Sequence, residues 1–296
     1  MTTTPHSPSA PVQGITPRRM QFDFSDDMDL VFIEHDPALS FLFLGTWMLL
    51  PSLEPYLMRT MRSAMNDIAD TGLLHDLKQF CAQEGQHYQQ HARANAVILR
   101  RMPPAQRARM QQQLAAIEAQ YRQFSATRPL AWNLAYAEGF EAYTAAGART
   151  QLELDVFAYM TDPIRDLMRW HIMEELEHRT VAFDACAALG RGYLHRLRTG
   201  LYAQKHFIGL GRQLAGTMMQ AFPELVAAHQ SDAARQLRTQ RRRRYFRRTL
   251  RNLVGIYLPW YSPARLRMPP AYTLARAEYD RRVADPLTAG AVETPS

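Results

Sequence analysis

The chain has 296 residues, of which 47% are hydrophobic and 21% charged, and its formal net charge is +7. Its apolar content is that of a globular protein, and its length suits one large domain with appendages. Two cysteines, Cys81 and Cys186, exclude a disulfide framework and favour a cytoplasmic location. We expect a flexible lead-in over residues 1–20, a helical bundle over 21–230, and a basic helix with a Pro-rich tail over 231–296.

The first part of the chain contains no segment typical of export or of a membrane span. Residues 1–17 are rich in Thr, Ser and Pro and lack the apolar core of a secretory signal. The most apolar run, Ala38–Leu50, has thirteen residues and stops at Pro51. A spanning helix needs about twenty, so this run predicts a buried helix rather than one that dips into a membrane.

Almost every later segment predicts helix, because alternating β-branched runs are absent and glycine is sparse. Breaks are expected at Pro103-Pro104, at Thr161-Asp162-Pro163 and at Gly190-x-Gly192. The fold class is therefore all-α. The helices expected in chain order span residues 38–50, 52–69, 73–101, 104–124, 129–159, 163–190, 194–222 and 226–256.

Two Glu-x-x-His pairs stand out within these helices, Glu84 with His87 and Glu175 with His178. Residues three apart share a helix face, so each pair can point into the interior of a bundle. Paired motifs of this kind, joined by a Glu on each of two further helices, are typical of bundles that hold two metal ions. The pattern predicts a ferritin-like four-helix bundle core with additional helices.

A lone carboxylate precedes each pair at a similar distance, Glu54 by 30 residues before Glu84 and Glu141 by 34 residues before the second pair. We prefer Glu141 to Glu138, one turn away, because small and aromatic residues flank it. Pro55 follows Glu54 and removes one helix hydrogen bond, a loss that is tolerable if the helix begins nearby. The alternative role for Glu54 is that of an acid favoured at a helix start.

Two further histidines lie one turn from the expected ligands, His171 before Glu175 and His91 after His87. Either could be a third imidazole on the metal, and the alternative is a hydrogen-bonded core residue. Carboxylate and imidazole donors suit iron in first place, with manganese or zinc as alternatives. The predicted metal ligands are Glu54, Glu84, His87, His91, Glu141, His171, Glu175 and His178, of which Glu84 and Glu175 are also the predicted catalytic residues.

The neighbours of these residues have predicted supporting roles. Glu174 and Gln83 each adjoin an expected ligand, and each could orient the imidazole of the opposite helix. Glu177 is expected to face solvent or a neighbouring helix. Cys81, one turn before Glu84, is expected to be a small core residue.

An arginine-rich segment near the C-terminus contains nine arginines between Arg235 and Arg251, and it accounts for the positive charge of the chain. Apolar residues recur among them at helical spacing, which is typical of a basic amphipathic helix. We leave three interpretations open: a solvated helix packed on the bundle, contact with an anionic membrane surface, and contact with a nucleic-acid backbone. The apolar positions are Tyr245, Phe246, Leu250, Leu253, Val254 and Tyr257.

The motifs together resemble the ferritin-like family of predicted metal-dependent hydrolases, over roughly residues 17–191. They are Arg18-Arg19-Met-x-Phe22, Glu84-Gly-Gln-His87-x-x-x-His91, Trp170-His171-x-x-Glu174-Glu175-x-Glu177-His178 and Val181-Ala-Phe-Asp184. The Pro-x-Phe-His-Pro ending of that family is replaced by Trp260-Tyr-Ser-Pro263. The spacing of His171, Glu175 and His178 is also similar to that of the di-iron arylamine N-oxygenases, and by that resemblance His171 would be a seventh ligand.

These observations predict an enzyme with two metal ions, most simply iron, that uses O2 to oxidise a hydrophobic or aromatic organic substrate. The first alternative is hydrolysis by a metal-activated water, which the family name implies. Iron storage and a non-catalytic role of the arginine-rich helix at a membrane surface or a nucleic acid are further alternatives. A homodimer, and peripheral attachment to a membrane, are left open.

Overall fold

A computed structural model of the chain describes residues 14–228 and 231–284. Within these ranges the chain is helical and its only paired β-residues form an isolated bridge, so the all-α prediction is confirmed. The predicted lead-in up to residue 13 and the polar end from Asp285 lie outside the described residues. The α-helices are α1 Pro37–Ala64, α2 Thr71–Arg101, α3 Pro104–Thr127, α4 Leu130–Leu154, α5 Ile164–Glu177, α6 Val181–Leu189, α7 Tyr193–Ala221, α8 Pro223–Ala227, α9 Asp232–Val254 and α10 Pro270–Ala284.

Helix α1 is continuous through Pro51, where the sequence predicted a break, and through Pro55. Asp36 caps its N-terminus, where the side chain accepts a hydrogen bond from the backbone N–H of Leu39 at 3.1 Å. Pro51 cannot donate to the carbonyl of Trp47, which would be left unpaired in the core. Asn95 of α2 donates to that carbonyl at 3.3 Å. The predicted pair of helices was therefore wrong, because a neighbouring helix satisfies the freed carbonyl.

The segment predicted as one helix over residues 163–190 is interrupted. Helix α5 ends at Glu177, and α6 begins at Val181. Between them His178 leaves helical geometry, with φ −95° and ψ 10°. No glycine or proline marks this break in the sequence, and it falls on one of the predicted metal ligands. The segment predicted over 226–256 is likewise divided, between α8 and α9.

Helix α1 is the centre of the packing, with α2, α4 and α7 against it, while α9 lies on α4 and α10 on α5. By length and composition α1 could also cross a membrane, but 67% of its most apolar window is buried inside the protein, as in the core helix of a soluble domain. This agrees with the predicted buried helix. The ferritin-like assignment of the core and the domain boundaries at 20 and 230 stay predictions.

Helices α4 and α7 approach each other at a pair of glycines. A methyl group at Gly139 would lie 2.2 Å from the Cα of Gly200, closer than any real contact. Another close contact joins α1 and α7, where a methyl group at Gly45 would lie 2.5 Å from the carbonyl oxygen of Gly211. These glycines let the helix backbones touch, which fixes α7 against the two helices that carry Glu54 and Glu141.

We expect Gly139→Ala to destabilise the protein by about 1 to 3 kcal/mol, because the added methyl group must force two helix backbones apart. The matched control is Gly209→Ala on α7, where a methyl group meets nothing within 4 Å. That change should be neutral or stabilising, since alanine is the better helix former. Urea unfolding of both variants measures the difference, and equal stability of the two would contradict the close packing.

Candidate metal centre

The eight side chains predicted as metal ligands lie together in the core. Helix α1 supplies one carboxylate, α2 a carboxylate and two imidazoles, α4 one carboxylate, and α5 with the break after it the remaining three groups. All eight residues are between 0% and 9% exposed, and His171 is the most accessible of them. The residues are Glu54, Glu84, His87, His91, Glu141, His171, Glu175 and His178.

The donor atoms form overlapping groups in which all members lie within 4.8 Å of one another. Glu84 joins two of these groups, one with Glu54 and His87 and one with Glu175 and His178. Glu175 is shared in the same manner, since it also groups with His87 and His171. Carboxylates that belong to more than one donor group are suited to hold metal ions that lie close together.

Glu141 completes the side of the centre that contains His178. The Nε2 of His178 lies 3.3 Å from a carboxylate oxygen of Glu141 and 3.5 Å from Glu84. Glu138, the alternative on the same helix, points elsewhere and forms an ion pair with Arg196 at 2.7 Å. The choice of Glu141 over Glu138 thus matches the position of the two side chains.

The donor set fits metal ions because many of its oxygen and nitrogen atoms have no hydrogen-bond partner within the protein. Among the described residues, nine of fifteen buried side-chain atoms without a hydrogen-bond partner belong to this cluster. Buried polar atoms are normally paired, so a concentration of unpaired carboxylate oxygens and imidazole nitrogens is suited to hold a cation. The nine atoms are both carboxylate oxygens of Glu54 and of Glu141, Glu84 Oε1, Glu175 Oε2, His87 Nδ1, His91 Nδ1 and His178 Nε2.

The charges within the cluster also favour the binding of cations. Burial, reinforced by the negative charge of Glu84, raises the pKa of Glu54 well above its ordinary value. Burial and the charge of Glu175 raise the pKa of Glu141 to about 8. Carboxyl groups with such raised pKa values hold protons when no cation is near them, and divalent ions would replace those protons.

The two imidazoles of the Glu-x-x-His pairs are oriented by different partners. Glu174 accepts a hydrogen bond from His87 Nε2 at 3.1 Å, which leaves Nδ1 facing Glu84. Gln83 accepts from His178 Nδ1 at 2.9 Å, which leaves Nε2 facing the centre. Burial lowers the pKa of His87, but hydrogen bonds to Glu174 and Glu84 outweigh it and raise that pKa to about 10. The contacts predicted for Glu174 and Gln83 are therefore present.

His171 and His91 form a pair at the edge of the centre. His171 Nε2 lies 2.9 Å from Glu175 Oε1, and its Nδ1 lies 2.6 Å from His91 Nε2. Burial, together with the charge of neighbouring imidazoles, lowers the pKa of both rings. His171 thus presents Nε2 to the donor set, and His91 contacts the opposite nitrogen of its ring. His91 also lies in a donor group with Glu54 and His171.

An outer layer of charge, which sequence reasoning missed, encloses this inner set. Arg18 is 1% exposed and donates to Glu174 at 2.9 Å and to Glu177 at 3.0 Å. Glu177 also accepts from Gln83, and Arg276 of α10 lies 3.0 Å from it. Glu177 is fully buried, so of the two positions expected for it the one facing solvent was wrong, and it faces neighbouring helices instead. Only the Arg18-Arg19 motif in the sequence signalled this layer.

Aromatic rings surround the centre on several sides. The ring of Trp170 lies 4.8 Å from that of His87, Phe80 lies 4.8 Å from His178, and Trp47 lies 5.3 Å from His91. Cys81 is a buried free thiol, in agreement with its predicted core position. The donors therefore lie in low-dielectric surroundings, where charge interactions are strong.

We expect Glu141→Gln to weaken metal binding at one position. Changing a residue that only hydrogen-bonds to a metal ligand typically lowers metal affinity by roughly ten- to hundredfold, and the loss of a ligand itself should be at least as large. The matched control is Glu138→Gln, one turn earlier on α4, which alters the Arg196 ion pair and should retain the metal content of the parent. Elemental analysis of dialysed protein measures both. Equal metal content in the two variants would contradict the position of Glu141 in the donor set.

The metal-free protein should lose stability as pH rises, because the pKa of Glu141 in the folded state, about 8, exceeds its ordinary value of 4.5. A carboxyl group of this kind contributes fully below pH 4.5, and its contribution is lost as pH rises through about 8. In the presence of a chelator, Glu141→Gln should match the parent near pH 4.5 and exceed it at pH 8 by about 2 to 4 kcal/mol. Urea unfolding at both pH values measures this, and the surface control Glu118→Gln should follow the parent.

Comparison with known proteins supports a metal-dependent role. Residues 16–266 match the model of a family described as predicted metal-dependent hydrolase. The match extends beyond the motifs that end near residue 191 and includes the segment Trp260–Pro263. A search of curated proteins and a search of solved structures found no match. Because the matched range covers most of its length, the chain belongs to the family of predicted metal-dependent hydrolases.

Proposed function

We propose that this chain is an enzyme with two metal ions that hydrolyses a small, largely apolar ester or amide. The observation that carries the proposal is the set of nine unpaired buried donor atoms arranged around Glu84 and Glu175. Family membership supports hydrolysis as the reaction class. When bound, the metal ions would supply Lewis acidity and lower the pKa of a bound water molecule.

Glu175 is suited to move the proton that hydrolysis releases. Its Oε1 lies 2.9 Å from His171 Nε2, whereas its Oε2 has no hydrogen-bond partner. Oε2 is one of the nine unpaired donor atoms, so it would contact a bound metal ion or a water molecule held by that ion. Hydrolysis adds the hydroxyl of that water to the carbonyl carbon and its proton to the leaving group, and Glu175 would carry the proton between them.

The remaining residues hold the donors in place. Glu174 and Gln83 each fix one imidazole, so that the ring cannot turn its free nitrogen away from the centre. Arg18 balances the charge of Glu174 and of Glu177 and also pairs with Asp280. The aromatic rings around the centre favour an apolar substrate over a charged phosphoester.

A second candidate is oxidation of a hydrophobic or aromatic molecule by O2 at two iron ions. The observation that favours it is the third imidazole, since His171 presents Nε2 beside Glu175 within the donor set. The buried, aromatic surroundings suit a reaction from which water must be excluded. Mixed carboxylate and imidazole donors are compatible with iron, manganese and zinc, so the donor types do not by themselves choose between the two reactions.

The experiment that tests the proposal starts from metal content. Protein purified without added metal should contain about two divalent ions per chain, and Glu175→Gln should lose them and all activity. A panel of apolar esters and amides is then assayed with protein loaded with Fe(II), Mn(II) or Zn(II), in water enriched in oxygen-18. Incorporation of one labelled oxygen into the acid product, independent of O2, supports hydrolysis.

Two outcomes would contradict the proposal. Oxygen consumption by the Fe(II)-loaded protein, with product oxygen derived from O2, would assign the second candidate instead. Absence of stoichiometric metal, with Glu175→Gln as active and as stable as the parent, would refute both. The Glu138→Gln variant serves as the control, because it should keep metal and activity while altering a buried side chain of the same helix.

A further inference from the structure

The outward face of α9 combines apolar and basic side chains in two parallel rows. Phe246, Leu250 and Val254 follow one another at four-residue spacing and are 68%, 52% and 52% exposed. Side chains four apart lie one above another on a helix, so these three form a continuous apolar stripe on the surface. Soluble proteins bury such stripes or use them for contact with a partner.

A row of arginines runs beside the stripe. Arg243, Arg247 and Arg251 share its four-residue spacing and are exposed. Within the described residues none of these three has an acidic partner, whereas other arginines of the helix do. Arg241 pairs with Glu34, Arg242 with Asp36 and Arg248 with Glu153. The helix itself contains one acid, Asp232 at its first position, so its outward face is strongly positive.

The opposite side of α9 anchors the helix on the bundle. The Tyr245 ring packs edge-on against Phe43 at 6.5 Å, and Asn252 donates to Thr150 of α4 at 2.9 Å. Arg248 reaches Glu153 on the same helix α4. These contacts hold the apolar stripe and the arginine row outward in a fixed orientation, so no refolding is needed to present them.

We propose that α9 binds an anionic lipid surface, with its axis parallel to the membrane plane. Phe246, Leu250 and Val254 would enter the boundary between headgroups and acyl chains, and the arginine row would contact lipid phosphates. Trp260, which is 70% exposed just after the helix, is a side chain typical of the membrane interface. The proposal does not depend on the reaction class of the metal centre.

The chemistry of the face favours a lipid surface over two other occupants. A nucleic-acid backbone would attract the arginines but would leave three large apolar side chains against phosphates and water. A second copy of this helix would bring the two arginine rows together, and like charges repel. An anionic bilayer is the partner that offers negative charge and an apolar layer side by side.

The test is flotation of the full-length protein with vesicles of neutral phosphatidylcholine and with vesicles that also contain anionic phosphatidylglycerol. We expect binding about tenfold tighter to the anionic vesicles, weakened by salt. The double change Phe246→Ser and Leu250→Ser should reduce binding about tenfold or more. The triple change of Arg243, Arg247 and Arg251 to Gln should remove the preference for anionic lipid.

The matched control is Leu274→Ser on α10, because Leu274 is 69% exposed, as Phe246 is. This control should bind as the parent does. Acrylamide quenching gives a second readout that is independent of partitioning. Trp260 is the most exposed of the four tryptophans, and its quenching should fall in the presence of anionic vesicles.

Three results would overturn the proposal. Equal binding of parent and Phe246→Ser/Leu250→Ser protein would show that the apolar stripe makes no contact. Binding to duplex DNA that is tighter than to anionic vesicles would assign the arginines to nucleic acid. Concentration-dependent dimerisation that the double serine change abolishes, without vesicle binding, would assign the stripe to a second copy of the chain.

Discussion

Four carboxylates buried in one small volume are the constraint on which the rest of the structure depends. A buried charge is costly unless it is paired, and like charges close together raise the cost further. The raised pKa values of Glu54 and Glu141 result from this burial and from repulsion between the carboxylates. The fold keeps the four groups together by close helix packing at Gly139 and Gly45, and the free energy that opposes this arrangement becomes available to bind cations.

The outer layer explains why segments far apart in the chain belong to one centre. Arg18 ties the N-terminal segment to α5, and Arg276 ties α10 to the same carboxylate, Glu177. Glu177 in turn holds Gln83, which fixes His178. A change at Arg18 would thus reach His178 through two intermediate side chains, Glu177 and Gln83. This is consistent with a family match that begins at residue 16 and extends through most of the chain.

Local spacing predicted the convergence of the donors, because three-residue and four-residue intervals fix a helix face whatever the surroundings. The features that the sequence did not reveal depend on tertiary contacts. Continuity of α1 through Pro51 requires Asn95 from another helix to bond the freed carbonyl. Burial of Glu177 requires Arg18 from more than 150 residues away. The break at His178 carries no glycine or proline, so helical periodicity alone could not locate it.

That break makes the two halves of the centre unequal, although their motifs are the same. His87 lies within a regular helix and presents Nδ1, whereas His178 lies beyond the end of α5 and presents Nε2. The His87 side also has His171, so it holds two imidazoles against one on the side of Glu141 and His178. In the proposed enzyme the two metal positions would therefore differ in the protein donors that they receive. They would also differ in accessibility, because His171 is 9% exposed whereas Glu141 and His178 are each 1% exposed. A water molecule from solvent would thus reach the centre on the side of His171.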